Sequence, residues 1–341
     1  MNTEVQPPLP PWLCAQRTAL LAQHGHAWLL QGPPGMGQFE LGMELVRAWL
    51  CEQPHHGQDV RQGACGHCTS CHAISVHTHA DLCVLMPETD MLAYGWPLSE
   101  KAQSDIDDRR RKPSKEIRID AMRHAVEFCQ RTNARGRGKV VLLYPAQQMN
   151  TITANALLKT LEEPPGEVRF VLVTEAAHQL LPTIRSRCLV HTMQWPLYRD
   201  VVPWLQTAGL TADAAAAWLR VAGGRPQDAL RMARSGKGLD MLQHLPDAVA
   251  NGNVAVFADM SPPETVQWLQ KLCHDLMCMA QGAAPRYFER PHLPRPPAMR
   301  VLARWAKALM QEARTAEHPL NPQLTTEALV AQAHTVLRAK R

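Results

Sequence analysis

Aromatic residues are scarce, at 5% of a 341-residue chain that is 45% apolar overall. That balance describes a soluble globular protein with room for two or three domains and a sizeable core. No run of about 18 uncharged apolar residues occurs, so no helix is expected to span a membrane. The first residues, Met1–Pro11, are polar and proline-rich and lack a basic stretch followed by an apolar one. This argues against a secretory signal and for a cytoplasmic location. Neither sign of charge dominates. A net charge of +5 permits work near nucleic acid without requiring it.

The most telling absence is local. Gln31–Phe39 (QGPPGMGQF) has the outline of a phosphate-binding loop, G-x-x-x-x-G-K-[ST], with Gly32 and Gly37 at the two glycine positions and Gly35 between them. The lysine that would reach the β- and γ-phosphates is replaced by Gln38, and the hydroxyl that would hold Mg²⁺ by Phe39. The context is right for such a loop. The apolar run Ala27–Leu30 predicts a buried strand, and Phe39–Leu50 predicts a helix with Leu41, Leu45, Ala48 and Trp49 on one face. An ordinary Gly-Pro turn between strand and helix fits the same letters.

Cysteine is plentiful, with ten residues. Most are scattered, but Cys65, Cys68 and Cys71 form C-x-x-C-x-x-C, with Cys51 upstream. Four thiolates suit a tetrahedral Zn²⁺, with sulfur atoms about 3.7 Å apart, and leave no open position for catalysis. A redox C-x-x-C pair and an iron–sulfur site are the competing readings, and a third cysteine in step favours zinc. Cys51 is the fourth ligand expected, with His55, His67 and His72 as substitutes.

The chain then alternates strands and helices. Strands are predicted at Asp81–Met86, Val140–Tyr144, Val168–Thr174 and Leu189–Met193. Helices are predicted at Ile119–Arg131, with Met122, Val126 and Cys129 on one face, and through Asn155-Ala-Leu-Leu-Lys-Thr-Leu-Glu-Glu, stopped by Pro164-Pro165. Alternation of this kind implies a parallel sheet covered on both faces. In an active P-loop ATPase the strand at Val140–Tyr144 would end in acidic residues; Tyr144 and Pro145 stand there instead. Residues 88–116 are polar and uneven and read as an exposed, mobile insertion. Their basic run Arg109–Lys112 could meet DNA phosphates or be a solvated loop whose charges partly cancel. From Tyr198 onward the pattern is helical: a small three-helix lid, then a bundle with Val266, Leu269, Leu272, Leu276 and Met277, then Met299, Leu302, Trp305 and Leu309, then Leu329, Ala333 and Val336 turned inward.

GPPGMG, the CGHCxxC cluster, NALLKTLEEPP and LPTIRSRC, in this order, resemble the bacterial clamp-loader subunits of DNA polymerase III, which are AAA+ proteins. The resemblance is specific over about residues 1–235; it leaves the insertion at 88–116 unexplained. It implies an α/β AAA+ P-loop domain with a parallel five-stranded sheet at 1–194, carrying a zinc module at 51–71. It further implies a three-helix lid at 195–236 and an all-α collar for oligomerisation at 237–341. A zinc module beside a broken P-loop is similar to the subunit type that does not hydrolyse ATP; the alternative is a gamma/tau-like motor. Arg187, within Ser186-Arg187-Cys188, is implied to be an arginine finger that reaches a neighbour's ATP; Arg185 is its nearest competitor. A planar, permanently charged guanidinium suits that task. The other reading of Arg187 is a pairing with a local carboxylate. Thr174 matches a γ-phosphate sensor position, and Gln227 stands where active relatives carry a sensing arginine. Implied partners are gamma/tau and delta subunits in a pentameric core and, through it, the sliding clamp and primer-template DNA. Structural zinc is implied and no ATP is expected, in a cytoplasmic protein found with the nucleoid at replication forks. A free zinc-dependent DNA-binding module is the third reading.

Overall fold

A computed structural model of the chain describes residues 9–53, 63–236, 238–315 and 321–339. Its centre is a sheet of five parallel strands in the order β2-β3-β4-β1-β5. The strands are β1 (Ala27–Gln31), β2 (Leu82–Leu85), β3 (Lys139–Leu143), β4 (Val168–Thr174) and β5 (Leu189–Thr192). The register sets Leu29 beside Leu172 on one side and Val190 on the other.

Alternation along each strand divides the core in two. Trp28, Leu30, Val140, Leu142, Val171 and Val173 face α1 (Pro11–Leu21) and α2 (Gln38–Leu50). Leu29, Val141, Leu143, Phe170 and Leu172 face the opposite layer, which includes α6 (Ile119–Gln130) and α7 (Thr151–Glu162). Successive side chains of a strand point to opposite faces, so a strand buried on both reads as an unbroken apolar run. Gly42 lets α2 lie close: a Cβ there would stand 3.1 Å from Leu142 and Val173 side chains.

The remaining helices of this part are α3 (Thr69–Ser75), α4 (Glu88–Ala93), α5 (Glu100–Asp107) and α8 (Pro182–Arg185). Two features correct the sequence reading. Residues 88–116, expected as an exposed insertion, contain α4 and α5, with Trp96 and Ala102 buried. The Glu88 carboxylate holds the segment together, accepting from the Arg111 guanidinium and from the Ser114 N–H at 2.8 Å. That clamp is contributed by residues far apart in sequence, which is why local pattern does not reveal it. Strand β5 is also not covered: it lies at the edge of the sheet, with Leu189 and Val190 exposed.

The chain divides into two units, Met1–Val201 and Val202–Arg341. Across the boundary runs α9 (Tyr198–Thr207); the second unit continues with α10 (Ala212–Val221), α11 (Pro226–Arg234), α12 (Leu239–Gln243), α13 (Leu245–Ala250), α14 (Pro262–Ala280), α15 (Met299–Thr315) and α16 (Pro322–Arg338). Glu264 accepts a hydrogen bond from the Ser261 N–H at 2.9 Å and caps α14, which opens on Pro262-Pro263. The apolar stripes of α14, α15 and α16 meet, with Leu269, Leu272, Leu302, Trp305 and Val330 fully or almost fully buried.

One buried carboxylate organises the connection after α14. Asp275, with no exposed surface, accepts from the backbone N–H groups of Arg286, Tyr287 and Phe288 at 2.9, 2.8 and 2.8 Å. Replacing it with alanine removes the acceptor of three N–H groups, that of Phe288 buried and the other two partly so. The expected loss is about 3–5 kcal/mol, read from urea denaturation. Lys271 on the same helix donates to the Val221 carbonyl at 3.0 Å and lies 4.1 Å from the centre of the Trp268 ring. Burial, helped by Arg225, pushes its ammonium down to about 8 from 10.5. Between those values the unfolded chain binds the extra proton, so this group makes stability rise with pH across that window. Stability curves of the parent and of Lys271→Met are expected to diverge between pH 8 and pH 10 and to run parallel below pH 7.

Candidate functional site

The loop after β1 has P-loop geometry. Gly37, at the N-cap of α2, has φ 89° and Gly35 has φ 79°, left-handed values that glycine adopts without strain. Gln38 is 2% exposed, and its side-chain amide donates to the carbonyls of Gly32 at 3.2 Å and Pro33 at 2.9 Å. The side chain that replaces the lysine is therefore folded back onto its own loop.

Phe39 lies where the loop hydroxyl would hold Mg²⁺, and Tyr144 where the acidic end of the third strand would face it. The two rings are 4.9 Å apart, and Tyr94 joins them at 4.9 Å from Phe39 and 6.1 Å from Tyr144. Three aromatic rings thus occupy the metal corner. The Tyr144 hydroxyl donates to Glu175 at 3.1 Å, and burial pushes its ionisation far above the ordinary tyrosine range. Thr174 is spent internally as well: its hydroxyl donates to Gln147 at 2.7 Å. Tyr94 and Gln147 carry no signal in the sequence, because each is brought to the site by long-range packing.

Arg187 is elsewhere. It precedes β5, whose first residue, Leu189, pairs with Trp28, whereas the P-loop follows Gln31, which pairs with Thr192. In a parallel pair this sets Arg187 at the opposite end of the sheet from its own P-loop. Its guanidinium donates to Glu162 at 2.9 and 3.2 Å and to the Thr183 carbonyl at 3.0 Å. The pairing with a local carboxylate, one of the two readings of this residue, is thus present in the single chain. Both partners are partly exposed, so the ion pair is weak and easily exchanged. Ser186 donates to the Thr183 carbonyl at 3.2 Å. The Cys188 thiol donates to the Ile184 carbonyl at 3.4 Å, and burial pushes it up to about 12.

The four cysteines Cys51, Cys65, Cys68 and Cys71 converge, with all sulfur atoms within 4.8 Å of one another. The Cys51–Cys68 and Cys65–Cys71 separations are both 3.9 Å. A Zn²⁺ with bonds of about 2.3 Å to four sulfurs needs edges of nearly that length, so the residues fit the ion. Backbone N–H groups of Cys65, Cys68 and Cys71 point at the sulfurs of Cys51, Cys65 and Cys68, as expected where thiolate charge is to be held. His67 and His72, the substitute ligands, are not in the cluster; His67 bonds the Cys65 carbonyl at 2.8 Å. His55 lies outside the described residues.

Beyond the sulfurs, Glu52 accepts from Thr69 at 2.7 Å, Ser70 at 2.9 Å and Arg135 at 2.6 Å. The hydroxyl of Thr69, then Arg135 and Ser70, hold its carboxyl down at about 2. Its contribution is complete above pH 4.5 and is lost as pH falls toward 2. Ser70 also bonds His79 at 3.0 Å, and the buried Asp81 next to it accepts from the N–H groups of Ala134 and Arg135 at 2.7 and 2.9 Å. The knuckle is thereby tied to β2 and to the turn before β3.

A family model described as "DNA polymerase III, delta subunit" matches residues 16–196, just over half of the chain. DNA polymerase III subunit delta′ of Escherichia coli (strain K12) is 32% identical over 287 residues, covering 80% of this chain and 78% of that protein. This chain belongs to the DNA polymerase III delta-prime family. The delta′ subunit of Pseudomonas aeruginosa is 37% identical over 213 residues, covering 62% of this chain and 56% of that one. Among solved structures, a DNA polymerase III gamma subunit-related protein from Thermotoga maritima superposes with a TM-score of 0.51 at 17% identity, covering 96% of this chain and all of that one. That likeness is one of fold: a parallel sheet followed by helices.

Proposed function

We propose that this chain is the subunit of a DNA polymerase III clamp loader that does not hydrolyse ATP itself and supplies Arg187, in trans, to the ATP site of a neighbouring gamma/tau subunit. The observation that carries this reading is the separation of two half-sites within one sheet. At the P-loop end Gln38 and Phe39 stand in place of the loop lysine and hydroxyl, and Tyr144 in place of the strand-end acid. The guanidinium is at the other end, where it cannot serve its own loop but can face another subunit's. An arginine there would stabilise charge on the transferring phosphoryl group, and its tie to the exposed Glu162 is one that a phosphate could replace.

In this reading the zinc held by Cys51, Cys65, Cys68 and Cys71 is structural. Residues 195–236 act as a lid, and 237–341 as a collar that joins gamma/tau and delta in a pentameric core. The sliding clamp and primer-template DNA are met through that assembly, and DNA synthesis resides in another subunit. A gamma/tau-like motor is disfavoured by the four substitutions Gln38, Phe39, Tyr144 and Pro145 acting together. Co-purification with gamma/tau and delta subunits tests the proposal. A stable complex whose ATPase depends on this chain is expected, and failure to enter such a complex would overturn it.

A further inference from the structure

The segment between β2 and α6 plays no part in the reading above, yet it supplies Tyr94 to the metal corner of the P-loop. We infer that α4 and the turn after it are a built-in plug that excludes Mg²⁺-nucleotide from this loop. The inference rests on the reading of an inert P-loop and adds what keeps nucleotide out. Left-handed Gly35 and Gly37 preserve the turn that presents backbone amides to phosphate. Loss of the lysine alone would leave that turn open. Mg²⁺ requires oxygen ligands in near-octahedral array; the Phe39 and Tyr144 rings, 4.9 Å apart, set apolar surface there, and the nearby Glu175 carboxylate is engaged by the Tyr144 hydroxyl.

Tyr94 closes the remaining side, 4.9 Å from Phe39, and its own position is fixed from several directions. The Trp96 N–H donates to the Met91 carbonyl at 2.8 Å, folding the turn back on α4. His77, just past the zinc-knuckle helix, stacks on Trp96 at 3.9 Å and bonds the Gly95 carbonyl at 3.0 Å. Glu88 fastens the beginning of the segment to Arg111 and Ser114 near its end. Tyr94 remains 41% exposed, so it is an outer cover rather than part of the core, and its removal should be tolerated.

The test uses the full chain with the loop lysine restored and the Phe39 ring kept, Gln38→Lys, titrated calorimetrically with Mg²⁺-ATPγS. Adding Tyr94→Ala to that background is expected to tighten binding at least about tenfold, and adding Tyr94→Phe to leave it unchanged. Equal affinity with and without Tyr94→Ala, including no binding by either, overturns the plug and leaves the inert-loop reading intact. ATP turnover by the unaltered chain would sink that reading instead. Should the restored variants not fold, Tyr94→Ala alone decides by hydrogen exchange. Amides of Gly35–Gln38 are expected to exchange at least about tenfold faster while those of α14 are unchanged; unaltered rates overturn the proposal.

Discussion

Arg187→Ala is expected to slow ATP turnover at one neighbouring site of the reconstituted clamp loader by about 10³-fold, the scale of a removed arginine finger. Folding and zinc content of the isolated chain should be unaffected, because the lost ion pair is partly exposed and such pairs contribute about 0–1 kcal/mol. Arg187→Lys should not rescue the rate, since an ammonium cannot reproduce two parallel N–H bonds. The structure adds a control that the sequence does not suggest. Glu162→Gln removes the charge that holds Arg187 in the single chain. If the pairing with Glu162 were the purpose of Arg187, the two variants would behave alike. If Arg187 serves a neighbouring subunit's ATP, Glu162→Gln should retain full turnover. Single-turnover assays on complexes built with each variant separate these outcomes.

The second large effect concerns the four-cysteine knuckle. The parent chain is expected to bind one Zn²⁺, measured by elemental analysis. Cys68→Ser, or treatment with a strong chelator, should abolish binding. A structural zinc contributes folding energy directly, so a loss of about 4 kcal/mol or more is expected in the unit that carries it. For a unit of this size that lowers the melting temperature by about 10 °C or more. Cys51→Ser should act the same way, since Cys51 completes the cluster and, among the described residues, no histidine stands by to replace it. His67→Ala and His72→Ala should change neither zinc content nor melting. A knuckle that melts normally without its thiols would have to be held by the Glu52–Thr69–Ser70–Arg135 network alone.

Much of this was legible in the residues themselves. Strands buried on both faces announce themselves as apolar runs, and β4 matches its expected bounds of Val168–Thr174 without adjustment. Cysteine spacing anticipated the convergence of Cys65, Cys68 and Cys71, which is local, and Cys51 joins them from 14 residues upstream. What escaped is long-range. The helices α4 and α5 have few apolar residues and depend on Glu88 reaching Arg111, a contact 23 residues away. Leu189 and Val190 read as core because their letters are apolar, yet strand order places them at an edge. The substitutions at Gln38 and Phe39 could be read only as losses. The structure makes them replacements: the amide satisfies the loop's own carbonyls, and the ring packs against Tyr94 and Tyr144.

The central claim is that the chain contributes to ATP hydrolysis without performing it. It is tested most directly by measuring phosphate release from Mg²⁺-ATP twice, by the chain alone and by a gamma/tau–delta complex with and without it. The account expects background release from the chain alone and stimulated release from the complex that contains it, with the stimulation lost in Arg187→Ala. Turnover by the lone chain that persists through purification, or stimulation that survives Arg187→Ala, would contradict it.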